Sequence, residues 1–213
     1  MSGRGPRLIS VKRRTPLGDM ELGALVKLNE NGTPAEFYVA RHNYEAGLNG
    51  NGRTLLVRKD CYDERAYSDS AYDYAKSTLD SWLCNTYLKL LDTDIQTAIG
   101  TTKFYYTYTT GRYTVTTLER AVFQLSLTEL GKISAYAETE GTALPTEFLL
   151  HIAYINGAAT SQWTRTPKLG GERIFCVDNT GNVNDARYNY TRGSRPAFTL
   201  PASTLVGDDL LIA

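Results

Sequence analysis

The sequence predicts an α+β protein with a mixed, mainly antiparallel sheet, two to three helices and long loops. Three observations carry this. Short apolar or alternating runs are separated by Asn-Gly and glycine-rich turns. A stretch around residue 80 changes to helical spacing, and threonine alternates with aromatic residues over residues 101–117.

The 213 residues can bury a sizeable core as one domain. A flexible basic arm is expected over residues 1–20, a domain over residues 21–206 and a short tail over residues 207–213. The arm carries Arg4, Arg7, Lys12, Arg13 and Arg14 among Gly3, Gly5, Pro6 and Pro16, and no acid precedes Asp19. It reads either as a plain disordered terminus or as an assembly arm.

From Glu21 the pattern is that of strands. Residues 22–28, 36–41 and 53–58 are short runs separated by Asn31-Gly32 and by residues 47–52. Asn-Gly accepts the positive φ of a tight hairpin, so this part reads as antiparallel. Over residues 70–91 Tyr74, Leu79, Trp82, Leu83, Tyr87, Leu90 and Leu91 form one apolar stripe, which predicts a helix. A second, shorter helix is expected over residues 92–99, stopped by Gly100.

Residues 101–117 read as a hairpin about Thr110-Gly111-Arg112. Residues 121–125 read as a short buried strand, and Ser126 with Glu129 has the capping-box spacing of a helix start. Further strands are expected over residues 161–164, 173–177 and 197–200.

Lys plus Arg number 23 against 23 Asp plus Glu, so no global field draws the chain to nucleic acid, and none is expected as a partner. No stretch approaches the roughly 20 apolar residues of a membrane span, so no insertion is expected. Without an apolar leader the chain is expected to be made in the cytoplasm with no signal peptide. Cys61, Cys84 and Cys176 are far apart and odd in number, which favours reduced thiols over a disulfide framework.

No catalytic residue emerges. His42 and His151 lack a partner at the spacing of a zinc motif or nucleophile elbow, and both read as structural. Residues 178–185 (D-N-T-G-N-V-N-D) lack the alternating acids of a calcium loop, and residues 168–171 (K-L-G-G) are too short for a P-loop. Neither metal nor cofactor is expected.

The row from Asn182 to Arg192 is different. Asn182, Asn184, Arg187, Tyr188, Asn189, Tyr190 and Arg192 are residue types that recognition surfaces favour, because tyrosine and arginine combine contact area with a polar handle. They are the candidate ligand-binding residues. The bland alternative is a polar loop with no target.

Two signatures then meet: Gln162-Trp163-Thr164-Arg165-Thr166-Pro167, and Gly193-Ser194-Arg195-Pro196-Ala197-Phe198. They resemble the W-W-x-R-S-P and G-I/V-R-P-A motifs of a large, mostly uncharacterised domain family of prophages and Gram-positive gut bacteria. Upstream, residues 77–88 (S-T-L-D-S-W-L-C-N-T-Y-L), 121–126 (A-V-F-Q-L-S), 58–67 (R-K-D-C-Y-D-E-R-A-Y) and 154–159 (Y-I-N-G-A-A) are similar to further motifs of that family. The chain departs from the pattern at Gln162, Thr166, Ser194 and Cys84. The resemblance spans about residues 21–202.

It implies a C-type-lectin-like fold in which the Trp-x-Arg and Arg-Pro-Ala strands pair centrally. Trp82, Trp163, Arg165, Arg195 and Pro196 are then scaffold. Trp163 and Arg165 are expected on alternate sides of a buried strand, the ring in the core and the guanidinium on loop carbonyls, while Pro196 can open a strand but not sit inside a ladder. The resemblance also implies a phage or prophage protein located in the virion, such as a tail component. Expected partners are a host cell-surface molecule or glycan at the exposed loops, other virion proteins through the arm, and a second copy in a homo-oligomer. The alternative function is a purely structural decoration or baseplate protein. In some phage proteins of this fold the contact face is diversified by adenine-directed mutagenesis, which the composition of residues 179–192 would fit. An enzyme of the formylglycine-generating type, a third class, needs copper-binding cysteines that the chain lacks near Cys176.

Overall fold

In the computed structural model, residues 14–212 are described. The chain is a mixed α+β protein, rich in strands, with three α-helices among the described residues and open, mainly antiparallel sheets. Strand β1 (Arg14–Pro16) is followed by β2 (Leu25–Glu30) and β3 (Thr33–His42). Asn31 and Gly32 join the last two with φ of 51° and 74°, the paired positive values that a two-residue hairpin turn needs. Helix α1 (Ala46–Asn49) occupies part of the expected turn, and β4 (Arg53–Arg58) has the expected bounds. Strand β5 (Asp63–Ala66) was not legible in its polar sequence.

The long helix expected over residues 70–91 is broken into three pieces. Short 3-10 turns at Tyr74–Lys76 and Tyr87–Leu90 flank α2 (Thr78–Asn85). The first break has a local cause: Asp73, accepting from Ala75 N–H, opens the first piece, and Ser77 ends that piece and opens α2, its Oγ accepting from Asp80 N–H. Helix α3 (Thr93–Ile99) ends at Gly100, φ 58°, as its sequence implies.

The threonine-aromatic hairpin is present as β6 (Thr102–Tyr108) and β7 (Thr114–Arg120), an unbroken seven-residue register. Residues 121–125 differ from expectation. Only an isolated bridge, Phe123 with Ala197, forms there, although Val122, Phe123 and Leu125 are buried. The Ser126 and Glu129 capping box does form, Ser126 N–H to Glu129 Oε2 at 2.8 Å and Glu129 N–H to Ser126 Oγ at 3.0 Å, but it opens a single turn. Gly131, φ 66°, ends it.

The final third holds β8 (Ala153–Ile155), β9 (Ala158–Thr160), β10 (Gln162–Pro167), β11 (Arg173–Val177), β12 (Val183–Arg187), β13 (Thr191–Ser194), β14 (Ala197–Pro201) and β15 (Leu205–Gly207). One sheet has the order β14-β4-β3-β2 and the other β12-β11-β10-β13-β5, in which only β10 and β13 run parallel. The core lies around them, from Phe37, Leu56 and Phe198 in the first sheet to Trp163, Ile174 and Val177 in the second.

The expected central pairing of the Trp-x-Arg and Arg-Pro-Ala strands is corrected. Strand β10 meets β13 at Gln162 and Gly193, whereas the strand after Pro196, β14, pairs with β4 in the other sheet. Arg195 and Pro196 form the crossing, where a proline without an amide cannot continue a ladder.

The ends also differ from the expected arm and tail. Residues 1–13 lie outside the described residues. Arg14, Thr15 and Pro16 pair with Gly207, Val206 and Leu205, Leu17 is fully buried, and Ile212 bridges Val206.

Candidate functional site

The scaffold residues fix the surface on which the candidate row lies. Arg165 is completely buried in β10. Its Nε donates to Tyr105 O at 2.8 Å, and its Nη1 donates to Gln124 O at 2.9 Å and Glu129 Oε2 at 2.7 Å. Glu140, also fully buried, lies 3.9 Å from the same guanidinium. Burial works against the charge of Arg165, but Glu129, Tyr44 and Glu140 outweigh it and hold the group well above its ordinary pKa. Burial pushes Glu140 up, opposed by Arg165.

Trp163 and Arg165 share a side of β10 rather than opposing each other, as residues two apart in a strand should. Tyr67 stands edge-on to Trp163 with centroids 5.6 Å apart and donates its hydroxyl to Arg165 O. Tyr74 links Tyr67 to Phe104, and Arg165 lies 4.6 Å over that Phe104 ring. Arg195 forms a second clamp: it donates to Arg58 O, Leu150 O and Lys59 O, tying the crossing to β4 and to the segment before β8. Trp82 is half-buried, its ring tilted against those of Tyr62 and Tyr87, with the Arg65 guanidinium 3.2 Å over its ring.

Side chains also close the outer edge of β6. Asn49 bonds both Lys103 N–H and Lys103 O, Arg165 takes Tyr105 O, and Glu140 accepts from Thr107 N–H at 2.6 Å. They occupy alternate residues, as a neighbouring strand would.

The candidate ligand-binding row is split by the fold. Strand β12 is an edge of its sheet, with Asn182 just before it and Arg187 at its far end, about 16 Å apart at the rise of a strand. Asn182, Asn184, Arg187, Asn189 and Tyr190 are exposed, Tyr190 by 52%. Tyr188 and Arg192 are half-buried: Tyr188 packs on the core, and Arg192 lies beside Cys176 and opposite Arg65. Among the described residues the side chains of Arg187, Asn189 and Tyr190 have no hydrogen-bond partner.

The loop tested for calcium spends its acids internally. Asp178 Oδ1 accepts from Thr180 N–H, Thr180 Oγ1 and Asn182 N–H, which hold its pKa below the ordinary value. Asp185 pairs with Lys168 and Arg173. Among the described residues no cluster of three His, Cys, Asp or Glu side chains is placed to hold a metal. His42 bridges Thr54 Oγ1 and Met20 O, and His151 Nε2 meets Leu130 O at 3.0 Å. The three cysteines are free.

The structure adds a groove that the sequence did not suggest. At the Asn182 end of β12 it encloses about 520 Å³, lined by Lys132, Phe148, His151, Ile152, Tyr154 and Asn182 among others. Phe148 is 64% exposed, and Ile152 and Tyr154 are exposed too. These residues are scattered in sequence, and their only signal is the apolar run at residues 148–155, which reads as core.

The fold and surface define a strand-rich α+β domain that carries a polar sheet edge beside an aromatic groove. The chain belongs to the family described as a domain of unknown function, DUF6273, whose model matches residues 51–202. The match begins later than the resemblance from residue 21, so β2 and β3 lie outside it although they complete the sheet of β4. No curated protein and no solved structure matches the chain.

Proposed function

We propose that the chain is a non-enzymatic ligand-recognition domain of C-type-lectin-like fold, acting as a virion- or tail-associated adhesin of a phage or prophage. The observation that carries this reading is the unsatisfied surface at both ends of β12. At one end Arg187, Asn189 and Tyr190 are exposed with no side-chain hydrogen-bond partner among the described residues; at the other, Phe148, Ile152 and Tyr154 expose apolar area around a groove. Aromatic surface beside unspent polar groups is the composition of a binding face. Its ligand is a host cell-surface molecule or glycan.

The test is binding of the purified protein to intact cells and cell-wall fractions of candidate hosts. Two variants accompany it: Arg187→Ala, Asn189→Ala, Tyr190→Ala together, and Phe148→Ala, Tyr154→Ala, Asn182→Ala together. Binding should be lost in one triple variant whose melting temperature is unchanged. Equal binding by all three proteins, or none by the wild type, overturns the reading. A second reading, a purely structural virion component, is favoured by one observation: among the described residues the outer edge of β7 carries only Arg120 on Glu119 O, whereas three side chains cover that of β6.

A further inference from the structure

Strands β6 and β7 form an isolated two-stranded sheet with two very different edges. The outward-facing residues of β6 are 103, 105 and 107, because their backbone groups meet Asn49, Arg165 and Glu140. In an antiparallel ladder directly opposed residues point their backbone groups the same way, either both toward the partner or both away. Lys103 opposes Glu119, Tyr105 opposes Thr117 and Thr107 opposes Val115. The outward groups of β7 are therefore those of Val115, Thr117 and Glu119. One of them is taken: Arg120 Nη1 donates to Glu119 O at 2.8 Å. The remaining N–H and C=O groups of these three residues have no partner among the described residues.

Natural sheets blunt such edges with lysine, proline, bulges or a covering segment. Among the described residues β7 has no lysine, proline, bulge or covering segment, and its two charges, Glu119 and Arg120, sit at one end: its sequence is T-V-T-T-L-E-R, its register with β6 is unbroken, and Thr114, Thr116 and Thr117 are exposed.

We infer that the outer edge of β7 is a self-association site, in which two copies of this chain pair β7 with β7 antiparallel about Thr117. The open residues 115, 117 and 119 are symmetric about 117, so a two-fold axis there places Val115 against Glu119 of the other copy and Thr117 against itself. Each such pair exchanges two bonds, giving about six in all, and a carbonyl can accept twice, so Arg120 need not leave Glu119. The same axis sets Thr116 against Leu118 and Thr114 against Arg120. No like charges face each other, and the central Thr-Thr pair is a favourable cross-strand match. The product is a closed, isologous dimer with a continuous sheet β6-β7-β7-β6. A contact made by one strand pair buries less than the roughly 1,200 Å² of a stable interface, so the dimer is weak and reversible.

Sedimentation or light scattering over a roughly thousandfold concentration range tests it. The mass of the full chain should rise from 23.6 kDa toward twice that value. Thr117→Lys and Thr117→Glu each place like charges on the two-fold axis and should remain monomeric when alone. Mixed, they should associate again, which a folding defect could not produce. A wild type that stays at monomer mass throughout, a Thr117→Lys protein that associates like the wild type, or a mixture that stays monomeric overturns the inference. Host-cell binding does not enter this readout, so its failure and that of the adhesin reading are separate.

Discussion

Replacing Arg165 with methionine tests whether the buried guanidinium is what allows two acids to sit inside this domain. Methionine fills a similar elongated volume without charge. The change leaves Glu129 and Glu140, both fully buried, without their ion-pair partner among the described residues, although Tyr44 still donates to Glu129 and Thr166 to Glu140. Orphaning a buried charge costs about 3–5 kcal/mol. The carbonyls of Tyr105 and Gln124 also lose their donor, at about 1–3 kcal/mol each where water cannot replace it. A loss of about 5 kcal/mol or more is a large share of the roughly 5–15 kcal/mol that holds a typical domain folded. At about 2–4 °C per kcal/mol for a chain of this size, the melting temperature should fall by roughly 10–20 °C. Urea unfolding at neutral pH, followed by the fluorescence of Trp163 and Trp82, measures the free energy. Adding Glu129→Gln to the Arg165→Met protein should recover about 2 kcal/mol, whereas Glu129→Gln alone should destabilise. A cost below about 1.5 kcal/mol, or an equal penalty for Glu129→Gln in both backgrounds, would refute the electrostatic account.

Two further outcomes follow from titratable groups elsewhere. Burial pushes Asp80 up from 3.8 to about 6 against the pull of Arg120. A carboxyl raised in the folded state contributes stability below its unfolded pKa and loses it as pH rises through the folded value. The wild type should therefore lose about 3 kcal/mol relative to Asp80→Asn between pH near 3.5 and pH 7; parallel stability profiles for the two proteins would contradict this. Burial also raises all three thiols, Cys61 to about 12, and only Cys84 is half-exposed. A thiol reagent should label Cys84 first and reach Cys61 and Cys176 only on unfolding; native labelling of Cys61 as fast as Cys84 would show that its burial is transient.

Where structure was legible in the sequence, a local cause set it. Asn31-Gly32 fixed one hairpin through backbone conformation alone, and Thr102–Tyr108 with Thr114–Arg120 declared another by composition. The helix over residues 70–91 was misjudged because one apolar stripe can run across three helical pieces, and the caps at Asp73 and Ser77 carry no periodic signal. Strands β5, β12 and β13 are hidden for another reason: Asp63–Ala66, Val183–Arg187 and Thr191–Ser194 are polar, and their extension comes from pairing, β5 and β13 with each other across more than a hundred residues and β12 with the neighbouring β11. The candidate row was found by composition, but its division into two ends and the groove beside Asn182 depend on residues brought from 132 and 148–154. Glu140, which completes the Arg165 clamp, has no sequence signal at all.

The ladder between β1 and β15 has a use in protein engineering. It holds Arg14 directly beside Gly207, and facing Cα atoms in such a pair are about 4.5–5.5 Å apart. Val206 is paired with Thr15 on one side and with Ile212 on the other, so residues 14 and 212 lie about two strand spacings, roughly 10 Å, apart, and a host loop whose ends are that close could receive residues 14–212 as a graft without being pried open. The same proximity lets Ile212 be joined to Arg14 by a short link and new termini be cut at the exposed Asn31-Gly32 turn, a circular permutant of residues 14–212 that keeps their strand pairings.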